Sequence, residues 1–298
     1  DSTGTLQLIW NAVSELPPDR CQKTIHVIST DTMVENPIVA AWVKNSLESI
    51  GKEATKQKLP FSPKLIFPRI EESFWVNLIG KGYPAPRNKF RWCTDRLKIN
   101  PSNRFISEVV NHNGEAILCL GARTSESAAR AKVIKKHSRF RIRERLSPSS
   151  SLAGCMIYTP VEEFSNDDIW FYLNNIKNPW GINNKELMGM YAGASKDGEC
   201  PLVVDTNTAS CGNSRFGCWV CTMVEQDKSM AAMIQNDSEK EWMLPLLELR
   251  NALDFRNNNN PGQKLDHHLR DFRRMGGAVQ LMHGGEYVPG PYTKESRE

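Results

Sequence analysis

The sequence predicts an α/β fold with a doubly wound, mostly parallel sheet, followed by a smaller irregular and helical C-terminal region. Short β-rich runs alternate with segments whose apolar residues recur at helical spacing, and this alternation favours a parallel sheet covered by helices. After Pro160 the pattern changes to helices and loops. We therefore predict two domains, residues 1–160 and residues 161–298.

Two amphipathic helices are predicted within the first 50 residues. The first begins almost at residue 1 and ends before the proline pair at Pro17, and its apolar residues follow the i, i+3, i+4, i+7 spacing. The second begins with Pro37, a residue favoured at the first helical position, and extends through Ile50. The apolar positions of the first helix are Leu6, Ile9, Trp10 and Val13.

Three runs are predicted strands: Thr24–Thr30, Leu65–Phe67 and Ala116–Leu120. The third is apolar throughout, as in a strand buried on both faces. The first runs into Asp31 and the third into the turn Gly121–Arg123. Ligands of doubly wound sheets bind beyond the carboxyl ends of the strands, so we expect these two polar segments at one rim.

The C-terminal region opens with a helix that has a clear start signal. Ser165 followed by Asp168 is typical of a capping box, in which each side chain bonds the backbone of the other residue. The helix that follows carries Ile169, Trp170, Tyr172 and Leu173.

Composition excludes several classes of protein. The chain has 298 residues, 40% of them apolar and 24% charged, which is ordinary for a globular protein and excludes disordered and fibrous classes. No run approaches the roughly 18 consecutive apolar residues of a membrane-spanning helix. We expect a soluble protein of the bacterial cytoplasm.

Four of the eight cysteines, Cys200, Cys211, Cys218 and Cys221, lie within 22 residues, and the last two form a C-x-x-C motif. Such spacing lets two thiolates reach one metal centre. The spacing leaves an iron-sulfur cluster, a structural zinc site and unliganded thiols open, because it does not separate iron from zinc.

Cys93 is a fifth candidate ligand. Arg91, Arg96 and Lys98 surround it in the sequence, and positive charge is expected to lower the pKa of its thiol. The remaining cysteines have no such setting. Cys119 is predicted to lie inside a buried strand, and Cys21 follows a turn.

The positive charge of the chain is concentrated in residues 130–145. That segment carries eight basic residues against one acidic residue, a net charge of +7, whereas the whole chain carries only +4. In an extended conformation the alternating arginines would share one face, an arrangement suited to a row of phosphates. A solvated basic loop beside a nucleotide pocket is the alternative. The predicted DNA contacts are Lys135, Lys136, Arg139, Arg141, Arg143 and Arg145.

The segment after the third strand contains a candidate phosphate-binding arginine. Arg123 offers a planar fork that matches phosphate geometry, and Glu126 is placed to hold that fork. An N-cap with a surface ion pair is the alternative interpretation.

Four motifs, in order along the chain, resemble the PP-loop ATP pyrophosphatases of the PAPS-reductase type. That family opens with a Ser-Gly-Gly-x-Asp-Ser loop; Asp1-Ser2 corresponds to its end, so the strand and glycines are expected upstream. Gly193–Met230 and Asp271–Thr293 are similar to the DndC-type and SspD-type sulfurtransferases of bacterial DNA phosphorothioation. The four motifs are TDTMVENP (Thr30–Pro37), RWCTDRLKINP (Arg91–Pro101), LGARTSESAAR (Leu120–Arg130) and TPVEEFSNDDIW (Thr159–Trp170).

The resemblance implies that residues 1–160 hydrolyse ATP, with Mg²⁺, to AMP and pyrophosphate, and that a DNA phosphate then exchanges an oxygen for sulfur. It also implies a cysteine desulfurase as sulfur donor, other phosphorothioation subunits as partners, and a 4Fe-4S cluster. The implied ligands are Cys93, Cys211, Cys218 and Cys221, with Cys200 competing for one place. The implied catalytic residues are Asp1, Ser2, Lys98 and Arg123, and the implied nucleotide site comprises Asp1, Ser2, Thr3, Asp31, Thr32, Gly121, Arg123, Glu126, Ser127 and Arg130.

Two other functions remain open on the residues. A sulfonucleotide reductase shares the scaffold but relies on a cysteine near the C-terminus, and none follows Cys221 in this sequence. A non-catalytic iron-sulfur scaffold that binds DNA would not need an intact nucleotide site. The site residues that are retained, and that favour an enzyme, are Asp1, Ser2, Asp31, Thr32, Arg123 and Glu126.

Overall fold

The computed structural model describes residues 1–87, 90–142, 144–195, 216–255 and 266–298. Among them no helix is both long enough and apolar enough to cross a membrane. The nine α-helices of the described residues are α1 (Ser2–Ser14), α2 (Pro37–Gln57), α3 (Trp92–Thr94), α4 (Asn100–Asn113), α5 (Ala128–Ser138), α6 (Asn166–Asn175), α7 (Asn184–Gly193), α8 (Lys228–Asn236) and α9 (Leu244–Leu253).

The strands form two small sheets. They are β1 (Ile25–Thr30), β2 (Phe61–Ile66), β3 (Ala116–Cys119), β4 (Ser147–Pro148) and β5 (Cys155–Tyr158). One sheet pairs β1 with β2, and the other has the order β3-β5-β4, in which β3 is parallel and β4 antiparallel to β5. In the described part of the chain no named strand follows Tyr158. The α/β class is therefore confirmed, whereas the doubly wound arrangement stays a prediction.

Most predicted elements are confirmed, and their ends differ by a few residues. The helix predicted from Pro37 continues past Ile50 to Gln57. The strand predicted at Leu65–Phe67 begins earlier, at Phe61. The capping box of α6 is present as expected: the Ser165 hydroxyl accepts from the N–H of Asp168, whose carboxylate accepts from the N–H of Ser165.

The expected burial of the third strand on both faces is wrong for the described residues. β3 is the edge strand of its sheet and pairs only with β5, and its side chains alternate between half-buried and exposed. Ile117 is 58% exposed, and Cys119 lies on the same exposed face. An unbroken apolar run indicates a strand, but it does not reveal which faces other elements cover.

The chain divides into two compact units that are interleaved along the sequence. The first unit comprises Asp1–Ser29, Ala40–Ile66 and Ser102–Arg215. The second comprises Thr30–Val39, Phe67–Pro101 and Phe216–Glu298. The domain boundary predicted at residue 160 stays a prediction.

Each unit has its own apolar core. In the first unit Trp10 of α1 is 1% exposed and stacks on Phe61 with ring centroids 4.3 Å apart. The second unit packs Trp92 against Phe74, with centroids 5.5 Å apart, and extends around Val220. Removal of these rings from water is the main stabilising contribution of such cores.

Candidate functional site

In the first unit, the N-terminus of α1 lies against the turn that follows β3. A Cβ placed on Gly121 would lie 2.9 Å from the carbonyl carbon of Asp1 and 3.0 Å from both the amide nitrogen of Ser2 and the hydroxyl of Thr5. Only glycine permits this close approach. The turn therefore lies beside the N-terminus of a helix, a place where the helix dipole favours anions.

Arg123 is held beside this helix N-terminus and is only 5% exposed. Its Nε donates to Oδ1 of Asp1 at 3.0 Å, and one Nη donates to the Ser125 hydroxyl at 2.9 Å and the Phe164 carbonyl at 3.4 Å. The guanidinium is thus fixed in direction by three partners from separate segments, which lowers the entropy cost of presenting it to a ligand.

The structure corrects the expected role of Glu126. Its carboxylate accepts from the backbone N–H of Arg123 at 3.4 Å and pairs with Nε of Arg130 at 3.3 Å, and it does not hold the Arg123 fork. Asp1 takes that role. Glu126 belongs to the turn before α5, and Ser127 caps that helix by accepting from the N–H of Arg130.

Thr5 is a site residue that the sequence analysis did not single out. It is 5% exposed, and its hydroxyl has no hydrogen-bond partner among the described residues. A buried hydroxyl without a partner costs about 1–3 kcal/mol, and a ligand that bonds to it recovers that free energy. One threonine in the first turn of a helix has no distinguishing sequence signal. Asp1, Ser2 and Thr3 occupy the N-cap and first two positions of the same helix.

In the second unit, the segment after Asp31 is joined to the C-x-x-C loop by backbone hydrogen bonds. The N–H of Trp219 donates to the Val34 carbonyl at 2.9 Å, and the N–H of Asn36 donates to the Gly217 carbonyl at 3.2 Å. Glu35 and Cys218 form an antiparallel bridge between these bonds. Two motifs about 180 residues apart in sequence thus form one local structure.

Side chains reinforce this pairing. The Thr32 hydroxyl is fully buried, donates to the Glu35 carboxylate at 3.0 Å and lies 3.3 Å from the Cys218 sulfur. Lys98 pairs with the same Glu35 oxygen at 3.3 Å. Asp31 is used in the turn itself, where its carboxylate accepts from the Met33 N–H at 2.7 Å.

Burial and the Glu35 charge raise the pKa of the Cys218 thiol to about 12, although Lys98 partly opposes the shift. The pKa of Cys93 is also raised, by burial and then by Cys221, so the expected lowering by neighbouring cations is wrong. One of those cations is engaged elsewhere: Arg96 lies over the Tyr83 ring, 4.5 Å from its centroid, and donates to the Tyr83 hydroxyl at 2.7 Å. Sequence proximity did not translate into electrostatic proximity.

The donor chemistry of the second unit fits a thiolate-bound metal. Cys93, Cys218 and Cys221 belong to that unit, and the charge of Cys221 influences the thiols of the other two. In the part of the chain that the structure describes, no group of three or more His, Cys, Asp or Glu side chains is arranged around a metal position. Cys200 and Cys211, the candidates for the fourth ligand, lie outside the described residues.

Arg250 is a second residue that the sequence analysis missed. It is fully buried on α9, and its guanidinium donates to the Cys221 carbonyl at 3.0 Å, the Glu225 carbonyl at 2.9 Å and the Val224 carbonyl. It also pairs with Asp254 at 3.0 Å. The arginine therefore fixes the loop that begins at the C-x-x-C motif. Its sequence signal is the arginine and aspartate four residues apart on one helix face.

The basic segment of the first unit is exposed, but its described part is not an extended strand. The N–H of Phe140 donates to the His137 carbonyl at 3.0 Å, so residues 139 and 140 form a turn at the end of α5. The predicted row of arginines on one face is therefore wrong for this part, because the helix end determines the backbone. Arg141 pairs with Glu162 at 2.5 Å. Arg143 lies outside the described residues, whereas the other predicted DNA contacts, Lys135, Lys136, Arg139, Arg141 and Arg145, are exposed.

Comparison with known proteins adds little. No protein-family model matches the chain. Over 109 residues, 37% of its length, it is 28% identical to MJ0066, an uncharacterized protein of Methanocaldococcus jannaschii. The matched part spans about a fifth of that relative's length.

Proposed function

We propose that this chain is the ATP-hydrolysing sulfurtransferase component of bacterial DNA phosphorothioation, of the DndC or SspD type, on a doubly wound PP-loop domain. The observation that carries the proposal is the close approach of the α1 N-terminus to Gly121, with Arg123 fixed beside it. Helix N–H groups, a buried hydroxyl without a partner and an oriented guanidinium suit a phosphate group.

The proposed reaction makes a poor leaving group into a good one. A non-bridging oxygen of a DNA phosphate attacks the α-phosphorus of ATP, and pyrophosphate leaves. A thiol reductant supplies two electrons that release the sulfur of the desulfurase persulfide as hydrosulfide. The hydrosulfide then attacks the DNA phosphorus, the new P–S bond forms as the P–O bond to AMP breaks, and AMP departs with the former DNA oxygen. Arg123 and the N-terminus of α1 would stabilise the negative charge that develops on the pyrophosphate. Mg²⁺ is expected to accompany the ATP.

Four cysteines would hold a 4Fe-4S cluster, which supplies iron and sulfide of tunable redox potential when bound. Cys93, Cys218 and Cys221 would provide three thiolates, and Cys211 or Cys200 the fourth. In this chain, Glu35, Thr32 and Arg250 support the C-x-x-C loop that presents two of these sulfurs. Other phosphorothioation subunits in the bacterial cytoplasm would complete the system.

The test compares Arg123→Lys with Arg20→Lys in the protein. Lysine keeps the positive charge of Arg123 but loses the fork, so we expect AMP formation from ATP to fall about 10²-fold. We call Asp1, Thr5, Gly121 and Arg123 the cradle. Arg20 is exposed and is not part of the cradle, so its variant is expected to match the wild type. Sulfur incorporated into DNA is measured by mass spectrometry of the nucleosides.

Two outcomes would contradict the proposal. If the wild-type protein forms no AMP from ATP, with or without DNA, the non-catalytic scaffold is favoured. If AMP forms but Arg123→Lys has the activity of Arg20→Lys, the nucleotide phosphates bind elsewhere.

A further inference from the structure

The basic segment carries two large apolar side chains at its exposed end. Phe140 is 61% exposed and Ile142 is 65% exposed, and both follow Arg139, which is also exposed. Contiguous exposed apolar groups mark interaction sites, and these two residues are separated by a single residue in the sequence. Phosphate binding by the described cations does not explain why these two apolar side chains are exposed, because cations bind phosphates without apolar contacts.

The backbone that presents these side chains is anchored at both ends. On one side it continues from the last turn of α5, where the Arg141 N–H donates to the Ser138 carbonyl at 3.4 Å. On the other side the Ile142 N–H donates to the Leu146 carbonyl at 3.0 Å, directly before β4 joins the sheet. A segment fixed in this way loses little conformational entropy when it binds a ligand.

Charge decides which kind of partner fits. The segment from residue 130 to residue 145 has a net charge of +7, while the remaining 282 residues have a net charge of −3. Lys135, Lys136 and Arg139 are exposed and precede the two apolar side chains by one to seven residues in the same segment. A polyanion with flat apolar faces matches this combination, and nucleic acid has both: phosphates for the cations and bases for the ring.

We propose that Phe140, supported by Ile142, stacks on an unstacked base of the DNA whose phosphates the surrounding cations hold. The proposal rests on the DNA substrate of the proposed function and adds a contact to the base. Bases within a regular duplex have their faces covered, so the contact requires a single strand or a locally opened duplex. The segment would thus recognise the state of the strand as well as its charge.

The experiment separates the two contributions by their response to salt. Dissociation constants of the full-length protein are measured by fluorescence anisotropy at several salt concentrations, with a labelled 20-nucleotide single strand and the matching duplex. Phe140→Ala is expected to weaken single-strand binding at least about fivefold at every salt concentration, because the stacking of one base contributes roughly 1–3 kcal/mol. For Phe140→Ala, the slope of the logarithm of the affinity against the logarithm of the salt concentration is expected to stay the same. Arg139→Ala is expected to reduce the slope by about 0.7 through the loss of one phosphate contact.

Two controls make the readout specific. Phe171→Ala removes an equally exposed phenylalanine, 69% exposed, from α6 and is expected to leave the affinity unchanged. An abasic strand of the same length keeps every phosphate and removes the bases. The wild-type protein is expected to lose at least about fivefold in affinity on this strand, whereas Phe140→Ala loses much less, since its stacking contact is already gone.

Equal losses for the wild type and Phe140→Ala on the abasic strand would overturn the base contact. So would Phe140-dependent binding to phosphatidylserine vesicles together with unchanged DNA binding, because a basic apolar segment also suits an anionic membrane. ATP-to-AMP turnover of the wild type, measured in parallel, separates this proposal from the proposed function. If the wild type converts ATP to AMP but Phe140→Ala binds DNA as the wild type does, only the base contact is refuted. If Phe140→Ala binds single-stranded DNA more weakly but the wild type forms no AMP, only the proposed enzymatic function is refuted.

Discussion

Gly121 has no side chain, and the space that a Cβ would need is taken by the backbone of Asp1 and Ser2. Arg123 follows Gly121 by two residues in the same turn, and its guanidinium donates to the Asp1 carboxylate. Thr5 completes the cradle with a buried hydroxyl. At this scale, a hydrogen atom in place of a methyl group allows the N-terminus of α1 to approach the turn after β3.

We predict that Gly121→Ala destabilises the protein by about 1–3 kcal/mol, because the methyl group overpacks against backbone that cannot move aside. The measurement is the free energy of unfolding in urea. Gly189→Ala is the matched control: it lies within α7, has open space around its Cβ position, and is expected to stabilise the protein by about 0.5–1 kcal/mol. Equal effects of the two alanines would show that the close approach is not a constraint.

Elements of the second unit are joined through the C-x-x-C loop. The segment Val34–Asn36 pairs with one side of this loop through backbone hydrogen bonds, and Arg250 of α9 binds the other side through three carbonyls. The guanidinium is fully buried, so every donor needs a partner within the protein. The loop conformation therefore depends on a helix about 30 residues further along the chain.

Arg250→Met is expected to cost about 3–5 kcal/mol of unfolding free energy, because it removes the cation that pairs with the buried Asp254 carboxylate and the donor to three carbonyls. Arg297→Met serves as the comparison. Arg297 also donates to three carbonyls, those of Ile79, Gly80 and Thr293, but it is only half-buried, so its loss is expected to cost about 1 kcal/mol. Urea unfolding measures both. Similar losses of unfolding free energy in the two variants would mean that the burial of Arg250 adds nothing to the contribution of its hydrogen bonds.

If Arg250→Met does not fold, Arg250→Lys provides the second measurement. Lysine keeps the charge near Asp254 but cannot reach all three carbonyls, so we expect a folded protein whose loop is less well held. The readout is the alkylation rate of Cys221, compared with that of Cys93 in the same metal-free sample. We expect the alkylation rate of Cys221 to rise while that of Cys93 stays unchanged. An equal rise of both rates would indicate general destabilisation.

The whole molecule separates two kinds of chemistry between its units. The first unit carries the helix N-terminus, Arg123 and the basic segment, and the second carries Cys93 and the C-x-x-C motif. The positive charge is local, since residues 130–145 exceed the net charge of the whole chain. A uniformly basic protein would attract polyanions everywhere, whereas this distribution directs them to one surface.

At this scale, the metal content tests the proposed cluster. Anaerobically purified wild-type protein is expected to contain about four iron and four sulfide per chain and to absorb in the brown region of the spectrum. Cys221→Ser is expected to lose most of this iron, while Cys119→Ser, which changes an exposed cysteine of the first unit, retains it. Zinc as the sole metal in the wild type would overturn the cluster.

Much of the local structure could be predicted because its signals are local. The spacing of Leu6 to Val13 indicates α1, and Pro37 marks the first residue of α2. Ser165 and Asp168 predict the start of α6 through a capping box that involves only four residues. In each case the side chains that determine the element lie within it or directly beside it.

The sequence by itself therefore determined the α/β class, the starts of the main helices, the clustering of the cysteines and the concentration of positive charge. Only the tertiary structure decided that Asp1 holds Arg123, 122 residues away, and that Thr32 lies on Cys218, 186 residues away. It also decided that β3 has an exposed face and that burial raises the pKa of Cys93. The physical reason is that periodicity and capping act within a few residues, whereas partners, burial and electrostatic surroundings are set by segments that meet only when the chain is folded.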